Sequence, residues 1–445
     1  MNTEETGFDA VILGGGPAGS TAATILASSG ARVLVLERDH FPRFHIGESL
    51  LPATVSIFDR LGVHEQIRER FILKPGGKWL YGEKEVPGDF SRSDRLATFK
   101  DHPYSYLVER SEFDDILIKR SVAAGADVRF GCEAVDLVKE GDRVVGVQYT
   151  DEQKKRHEVR GRIVIDASGL RSFIPSRLKL RKLTEPHRMG IYAQYAARPT
   201  RDDIKEGWFI GQMFYDGWTW LLRLPEDRFS VGTVLTVDRF KRSGHSPESL
   251  LEKLVQENPL LREGMTHARK RISDVMVTGN MGNSSEQLAG EGWVAVGDAA
   301  YFIDPCYSSG VHLAMKSGAE VADLVLSQQG TLNPQLFDGY QRAMRQHEKT
   351  VHRMVDAFYV ASRNTSVQKM VTTMQGGYFT RKFVTFVGGD FDRNAGYISR
   401  VRMYSKVAAS LFGNDSQRAP ENDPEYLWDS ADISSDDQGV EDFAA

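Results

Sequence analysis

Three groups of residues have types and spacings suited to chemistry. The first is Gly14-Gly15-Gly16-Pro17-Ala18-Gly19, which fits G-x-G-x-x-G. Gly14 allows a tight turn, Gly16 lets the backbone approach a pyrophosphate, and Gly19 lets a helix pack closely on a strand. Pro17 suits a first helical turn, and the helix start offers free N–H groups and a positive dipole end to a phosphate. Glu37 stands 18 residues after Gly19, where its carboxylate can accept from ribose hydroxyls. An acid there argues against a 2′-phosphate and does not tell one dinucleotide from another. The second group is Ser308-Ser309-Gly310, just before an expected helix. Helix-start N–H groups there can hold a small anion, and either serine can cap the helix. The third is the lysine pair of Lys74-Pro75-Gly76-Gly77-Lys78-Trp79. A buried lysine has a lowered pKa, whereas two solvent-facing lysines flanking a turn would be ordinary surface.

The elements that must position these residues follow from the apolar pattern. Phe8–Leu13, Ala31–Leu36 and Arg162–Asp166 read as buried strands, and Pro17 to about Ser29 as a helix. That alternation specifies a parallel sheet with crossover helices. Phe113–Ala124 reads as helical, and Asp127–Tyr149 as short strands turning at Gly131, Gly141 and Gly146. Alternating segments such as Tyr192–Ala197 and Phe229–Val237 suggest an antiparallel sheet. Trp293–Val296 is again a buried strand, followed by a helix from about Ser309 to Leu326, and residues 335–375 read as mostly helical. The fold class expected is α/β: a discontinuous Rossmann-like domain (1–178 plus 286–330), with an inserted, mostly antiparallel substrate domain (179–285) and a helical C-terminal region (331–412). Residues 74–106 are expected to contribute to the substrate side.

Composition excludes several classes. The chain has 445 residues, 41% hydrophobic and 26% charged, so neither wholesale disorder nor a fibrous repeat fits. The net charge of −5 leaves no strong basic field for nucleic acid. Residues 414–445 hold ten acidic residues and one basic, Arg418, and the acidic tail 413–445 reads as disordered. Two cysteines, Cys132 and Cys306, exclude a disulfide scaffold and a cysteine-based metal site, and suit a reducing, cytoplasmic setting. The N-terminus lacks the features of a signal peptide, and no uncharged apolar run reaches the ~18 residues of a membrane span. His347 and His352, beside Glu348, suggest a zinc helix, but a spacing of five turns them about 140° apart. They read as solvated helix residues, with no metal.

Gly297-Asp298, after the strand beginning at Trp293, resembles the flavoprotein monooxygenase superfamily, whose single Rossmann-like domain binds FAD. The segments Val108-Glu109-Arg110 with Phe113-Asp114, and Asp166-Ala167-Ser168-Gly169, resemble two further motifs of that group. The resemblance implies that Gly297, Asp298, Arg110 and Asp166 bind the cofactor. No second glycine fingerprint is present, so electrons are expected from a separate NAD(P)H-dependent flavin reductase.

Two long stretches are more specific. Phe41-Pro42-Arg43-Phe44-His45-Ile46-Gly47-Glu48-Ser49-Leu50-Leu51-Pro52 and Phe302-Ile303-Asp304-Pro305-Cys306-Tyr307-Ser308-Ser309-Gly310-Val311-His312-Leu313-Ala314 resemble flavin-dependent halogenases of the phenol and pyrrole type. The resemblance covers most of residues 8–330. It adds Arg38, Glu48, Ser49 and Gly310 to the FAD site, and makes Ser308, Ser309 and Gly310 the site for chloride or bromide. It implies that halide attacks a flavin hydroperoxide, formed from FADH2 and O2, to give hypohalous acid. A lysine, Lys74 or Lys78, then delivers the halogen to an electron-rich aromatic, free or carrier-tethered. The sequence does not choose between the two lysines. Trp79, Trp218, Trp220 and the aromatics near Phe214 are expected to wall the substrate path, with Tyr307.

Two departures bear on the reaction. Tryptophan halogenases carry a glutamate where this chain has Tyr307, which favours a phenol or pyrrole. The family's Trp-x-Trp-x-Ile-Pro motif reads Trp218-Thr219-Trp220-Leu221-Leu222-Arg223 here. That change leaves a flavin hydroxylase or prenyl-lipid reductase as the competing expectation. A non-catalytic flavin-binding protein is a third.

Overall fold

The computed structural model describes residues 4–391 apart from 82–83, 185, 216, 280 and 364–376, together with 399 and 403. The acidic tail therefore lies outside the described residues. The chain divides into two compact units. The first comprises Met1–Phe71, Val108–Leu183 and Asn283–Lys349; the second comprises Ile72–Leu107, Thr184–Gly282 and Thr350–Ala445. The fold is α/β, with two segments of the second unit inserted into the first, and with the helices Asp338–Arg363 and Gly377–Val387 following.

The first unit is built on a sheet in the order Ala289–Gly290, Trp293–Ala295, Arg156–Asp166, Glu4–Leu13, Val33–Leu36, Asp127–Arg129. From Trp293–Ala295 to Asp127–Arg129 every pairing is parallel. Val33–Leu36 is buried throughout, as a strand covered on both faces must be. Register aligns the strand ends: Leu13 pairs with both Leu36 and Asp166, and Asp166 with Ala295. The residues that follow, Gly14, Glu37, Ala167 and Val296, therefore emerge at one edge, where open parallel sheets bind ligands.

The helix Pro17–Ser28 packs against Arg110–Ala123 and Gly310–Leu326. Gly318 permits the latter crossing, since a Cβ there would collide with the Ala18 carbonyl. Turns form at Gly131 and Gly141, both with positive φ. Gly146 does not turn the chain. It lies inside the strand Arg143–Thr150 against Arg156–Asp166, where a Cβ would strike the Val159 carbonyl oxygen. Glycine is used there for close backbone approach rather than for conformation.

The second unit is a sheet in the order Lys270–Arg271, Arg188–Ala196, Arg228–Thr236, Gly217–Leu224, Trp208–Phe214, Gly76–Tyr81, Lys84–Asp89. It is antiparallel except where Trp208–Phe214 meets Gly76–Tyr81. One face packs Ile191, Ala193, Ile210, Phe214, Leu221 and Val231 on the helices Pro247–Glu257 and Pro259–Gly264. On the other face, register sets Trp79, Gly211, Trp220, Gly232 and Tyr192 in one row across five strands. The two glycines give the indoles room: a Cβ on Gly211 would overlap Trp79, and one on Gly232 would overlap Trp220. Phe214 lies on the opposite face and is no part of that aromatic row, because its strand position is odd relative to Gly211. A separate ribbon pairs Ile72–Lys74 with Ser105–Leu107.

The helix Asp338–Arg363 corrects a second expectation. His347 and Glu348 are buried, not solvated. His347 falls on the stripe Tyr340, Met344, His347, Val351, Met354, Phe358, all buried at helical spacing. Its Nε2 lies 3.3 Å from Lys316 Nζ, and Glu348 accepts from Arg345 at 2.8 Å.

Candidate active site

At the strand edge of the first unit the glycine turn is fixed by sterics. Gly14 has φ +102°, and a Cβ there would come within 2.5 Å of the Ala167 carbonyl oxygen. A Cβ on Gly19 would collide with the Gly14 carbonyl. At Gly16, the N-cap of the helix, the position is open instead: the nearest atom to an added Cβ is Arg43 Nη2, at 3.7 Å. No side chain caps that helix, and Pro17 occupies its first turn with Ala18 buried behind it. The backbone thus leaves an uncapped helix N-terminus facing unfilled space, a cradle matched to a phosphate.

Glu37 is buried and reaches back into the turn. Its Oε2 accepts from Gly15 N at 2.6 Å and its Oε1 from Asp39 N at 2.8 Å. A carboxylate has further acceptor capacity for ribose hydroxyls. Arg38 points away, exposed and paired with Asp39. Asp166 is fully buried and committed to backbone, accepting from Ser168 N at 3.0 Å and Ile174 N at 2.6 Å. Burial pushes its carboxyl upward. It shapes the turn behind Gly14 and offers no oxygen to solvent.

The arginines form a network around Asp114, which is wholly buried. Arg110 forks onto it, Nε to Oδ1 at 2.8 Å and Nη2 to Oδ2 at 3.0 Å, while Nη1 donates to the Ile46 carbonyl at 2.6 Å. This fork-to-carboxylate pairing suits a buried ion pair. Arg110 therefore braces the loop carrying Gly47, Glu48 and Ser49. Arg43 lies 3.3 Å from the same carboxylate through Nη1 and stacks 4.6 Å from the centroid of Phe41. Its Nε and Nη1 are buried without a hydrogen bond among the described residues. Both nitrogens face carboxylates, Nε that of Asp39 at 3.7 Å and Nη1 that of Asp114, while Nη2 lies beside Gly16 at the open end of the glycine turn. Asp298, after the turn at Gly297, has its carboxyl pushed up to about 7 by burial, with Arg110 opposing the shift.

Ser308, Ser309 and Gly310 precede the helix Gly310–Leu326. Ser308 has φ +55°, and its Oγ lies 3.1 Å from Ser49 Oγ, which ties the two long motifs together. Ser309 is the N-cap residue and is buried, yet makes no side-chain cap. Around Gly310 an added Cβ would meet nothing within 4 Å. The helix start thus keeps its N–H groups for another acceptor, and capping by serine is not their use. Tyr307 is buried just before it. The free helix-start N–H groups, the open glycine cradle and the guanidinium of Arg43 beside Gly16 fit FAD, an anionic dinucleotide.

The lysines belong to the second unit and differ sharply. Lys78 Nζ is held by Glu85 at 3.0 Å and Asp203 at 2.7 Å. In the sheet it opposes Ile210, on the face packed by helices, while its neighbour Trp79 faces the other way. Lys74 ends the strand Ile72–Lys74, is buried, and lies 5.2 Å from the Phe90 ring centroid. Burial alone pulls its ammonium down to about 7. Trp79 meets Phe209, Trp218 and Phe358 edge-on, with ring centroids 4.8–5.5 Å apart. Trp220 is 5.4 Å from Trp218 and places its Nε1 3.2 Å from Ser230 Oγ. Arg223, the departure from the motif, turns outward to Glu206 at 3.2 Å and leaves the tryptophans' packing undisturbed.

Comparison with known proteins gives the family. The FAD binding domain family matches residues 7–355. The chain is 30% identical over 362 residues to tryptophan 2-halogenase of Chondromyces crocatus, covering 78% of this chain and 67% of that one. It is 30% identical to the 1H-pyrrole-2-carbonyl-[peptidyl-carrier protein] brominase of Pseudoalteromonas luteoviolacea, covering 73% and 78%. The solved structure of the myxobacterial chondrochloren halogenase superposes with a TM-score of 0.74 at 28% identity, covering 91% and 97%. The chain is an FAD-dependent oxidoreductase and belongs to the flavin-dependent halogenases.

Proposed function

We propose that this enzyme halogenates an electron-rich aromatic of the phenol or pyrrole type, free or tethered to a carrier protein, with Lys74 carrying the active halogen. The observation that carries the reading is the contrast between the lysines. Lys74 is buried and pulled down to about 7, so a large share of it is a neutral amine near neutral pH. Lys78 is instead paired with two carboxylates, Glu85 and Asp203, and lies on the helix-packed face.

Gly14, Gly16, Gly19, Glu37, Arg43 and Asp298 would hold FAD, with Arg110 and Glu48 setting the loop beside it. Reduced FAD supplies the two electrons with which O2 oxidises halide to hypohalous acid. The N–H groups at Gly310, with Ser308 and Ser309 beside them, would hold chloride or bromide before that oxidation. The Lys74 amine takes the halogen, and the aromatic then takes it from nitrogen. Trp79, Trp218 and Trp220 exclude water from the second unit's sheet face, which protects the halogen from hydrolysis. Tyr307 in place of glutamate supports the phenol or pyrrole class, and one relative acts on a carrier-bound pyrrole. Reducing equivalents come from a separate NAD(P)H-dependent flavin reductase, which places the enzyme in a reducing compartment such as the cytoplasm. No described helix is long and apolar enough to cross a membrane.

The test is mass spectrometry of the protein with FAD, NADH, an unrelated flavin reductase, O2, bromide and a panel of phenols, pyrroles and indoles. A bromine isotope doublet on a phenol or pyrrole product is the expected result. Incorporation of oxygen without bromine would replace this reading with a hydroxylase.

A further inference from the structure

We propose that the Ser105 hydroxyl completes the halogen-transfer site of Lys74 by donating a hydrogen bond to the oxygen of hypohalous acid as the N–halogen bond forms. This rests on Lys74 as the halogen carrier. It adds a second residue to that step.

The ribbon register pairs Lys74 directly with Ser105. Directly opposed residues of an antiparallel pair share a face, with Cβ atoms about 4.5–5.5 Å apart. Ser105 is 0% exposed, and its Oγ has no hydrogen-bond partner among the described residues. A buried hydroxyl without a partner is costly to keep, so it is expected to meet one from a ligand. Phe90 stands beside the buried Lys74 ammonium. A hydroxyl in such a setting has a strong effect on any charge that develops near it.

The step balances without a further reagent. The neutral Lys74 amine attacks the halogen of X–OH. The N–X bond forms and the X–O bond breaks. The oxygen leaves as water after taking a proton from the nitrogen. The halogen keeps its oxidation state throughout. Negative charge grows on the departing oxygen as the X–O bond lengthens, and the Ser105 O–H is the donor that stabilises it. The aromatic then exchanges its proton for X and returns the amine.

The experiment compares wild type, Lys74→Ala and Ser105→Ala as FAD-loaded full-length proteins. Each is given reductase, NADH, O2 and bromide without an aromatic. Free hypobromous acid is caught with monochlorodimedone, and active bromine retained on rapidly desalted protein is titrated with a thiol. Wild type is expected to retain bromine, and Lys74→Ala to release it all. In Ser105→Ala the retained fraction is expected to fall about tenfold or more and the released fraction to rise, as loss of one donor to a developing anion implies. Its melting temperature should equal or exceed that of wild type, because an unpartnered buried hydroxyl has been removed. Wild-type retention in Ser105→Ala, or a lowered melting temperature accompanying the loss, would overturn the role of Ser105 while leaving Lys74 in place. Retention in Lys74→Ala equal to wild type would instead overturn the carrier reading, and the Ser105 role with it.

Discussion

In the first unit the buried Asp114 carboxylate lies between the guanidinium groups of Arg43 and Arg110; in the second, Lys74 is buried beside a phenyl ring and burial pulls its ammonium down to about 7. The two regions handle buried charge for different ends. A site that holds an anionic dinucleotide needs cations whose charge does not vary with pH, and guanidinium supplies that. A site that accepts halogen on nitrogen needs a lone pair, so desolvation is used to remove a proton. Lys78, four residues on, lies in the same unit as Lys74 but is paired with the carboxylates of Glu85 and Asp203.

The comparison breaks most severely at Asp114. Asp114→Asn removes the carboxylate shared by Arg43 and Arg110 and leaves two buried cations without it. Loss of one partner of a buried pair costs about 3–5 kcal/mol. The variant is expected to melt well below wild type and to lose its flavin on gel filtration, read by thermal denaturation and the flavin absorbance. Arg43→Met is a narrower cut, since it keeps much of the stacking volume on Phe41. A charge-assisted hydrogen bond is worth ~1.5–3 kcal/mol, so FAD is expected to bind about 10- to 100-fold more weakly, measured by flavin fluorescence titration. Unchanged affinity would mean that the Arg43 guanidinium does not face the phosphates.

The smallest effect sharpens the contrast by pH. The Lys74 amine is the reactive form, so bromine capture should rise through about 7 and level off above it. FAD binding, held by guanidinium, should show no such rise. For stability the sign follows from linkage. The unfolded lysine titrates near its ordinary 10.5, and the folded one near about 7. Between these the unfolded chain binds more protons, so the penalty of burying Lys74 is full below about 7 and fades as pH rises toward 10.5. Lys74→Met should remove that dependence in denaturation curves measured across this range.

The glycine turn was legible because its constraints are local: a positive φ at Gly14 and close approaches at Gly14 and Gly19 demand glycine within six residues of chain. The flanking strands and helices followed from apolar period, but their ends moved, from Ala31 to Val33, from Phe8 back to Glu4 and from Arg162 back to Arg156. The placement of Arg43 was not legible, because it arises where residues 16, 43 and 114, distant in sequence, meet. Ser105 needed the ribbon register, which joins segments some thirty residues apart. The lysine choice needed the strand Gly76–Tyr81, on which Lys78 and Trp79 are adjacent and face apart. What burial does to Lys74 could not be read from its neighbours in sequence. The His347 stripe was readable at helical spacing, and only the spacing to His352 suggested otherwise.

The most direct measurement sets Lys74→Ala beside Lys78→Ala. Both are loaded with FAD, confirmed by the bound-flavin spectrum, and supplied with reductase, NADH, O2, bromide and an aromatic that the wild type brominates. Product is followed by the bromine isotope doublet. Lys78→Ala should yield brominated product, with a melting point lowered by the ~0.5–1 kcal/mol of a partly exposed ion pair. Lys74→Ala should bind flavin and yield none. Brominated product from Lys74→Ala at the wild-type rate would contradict the account.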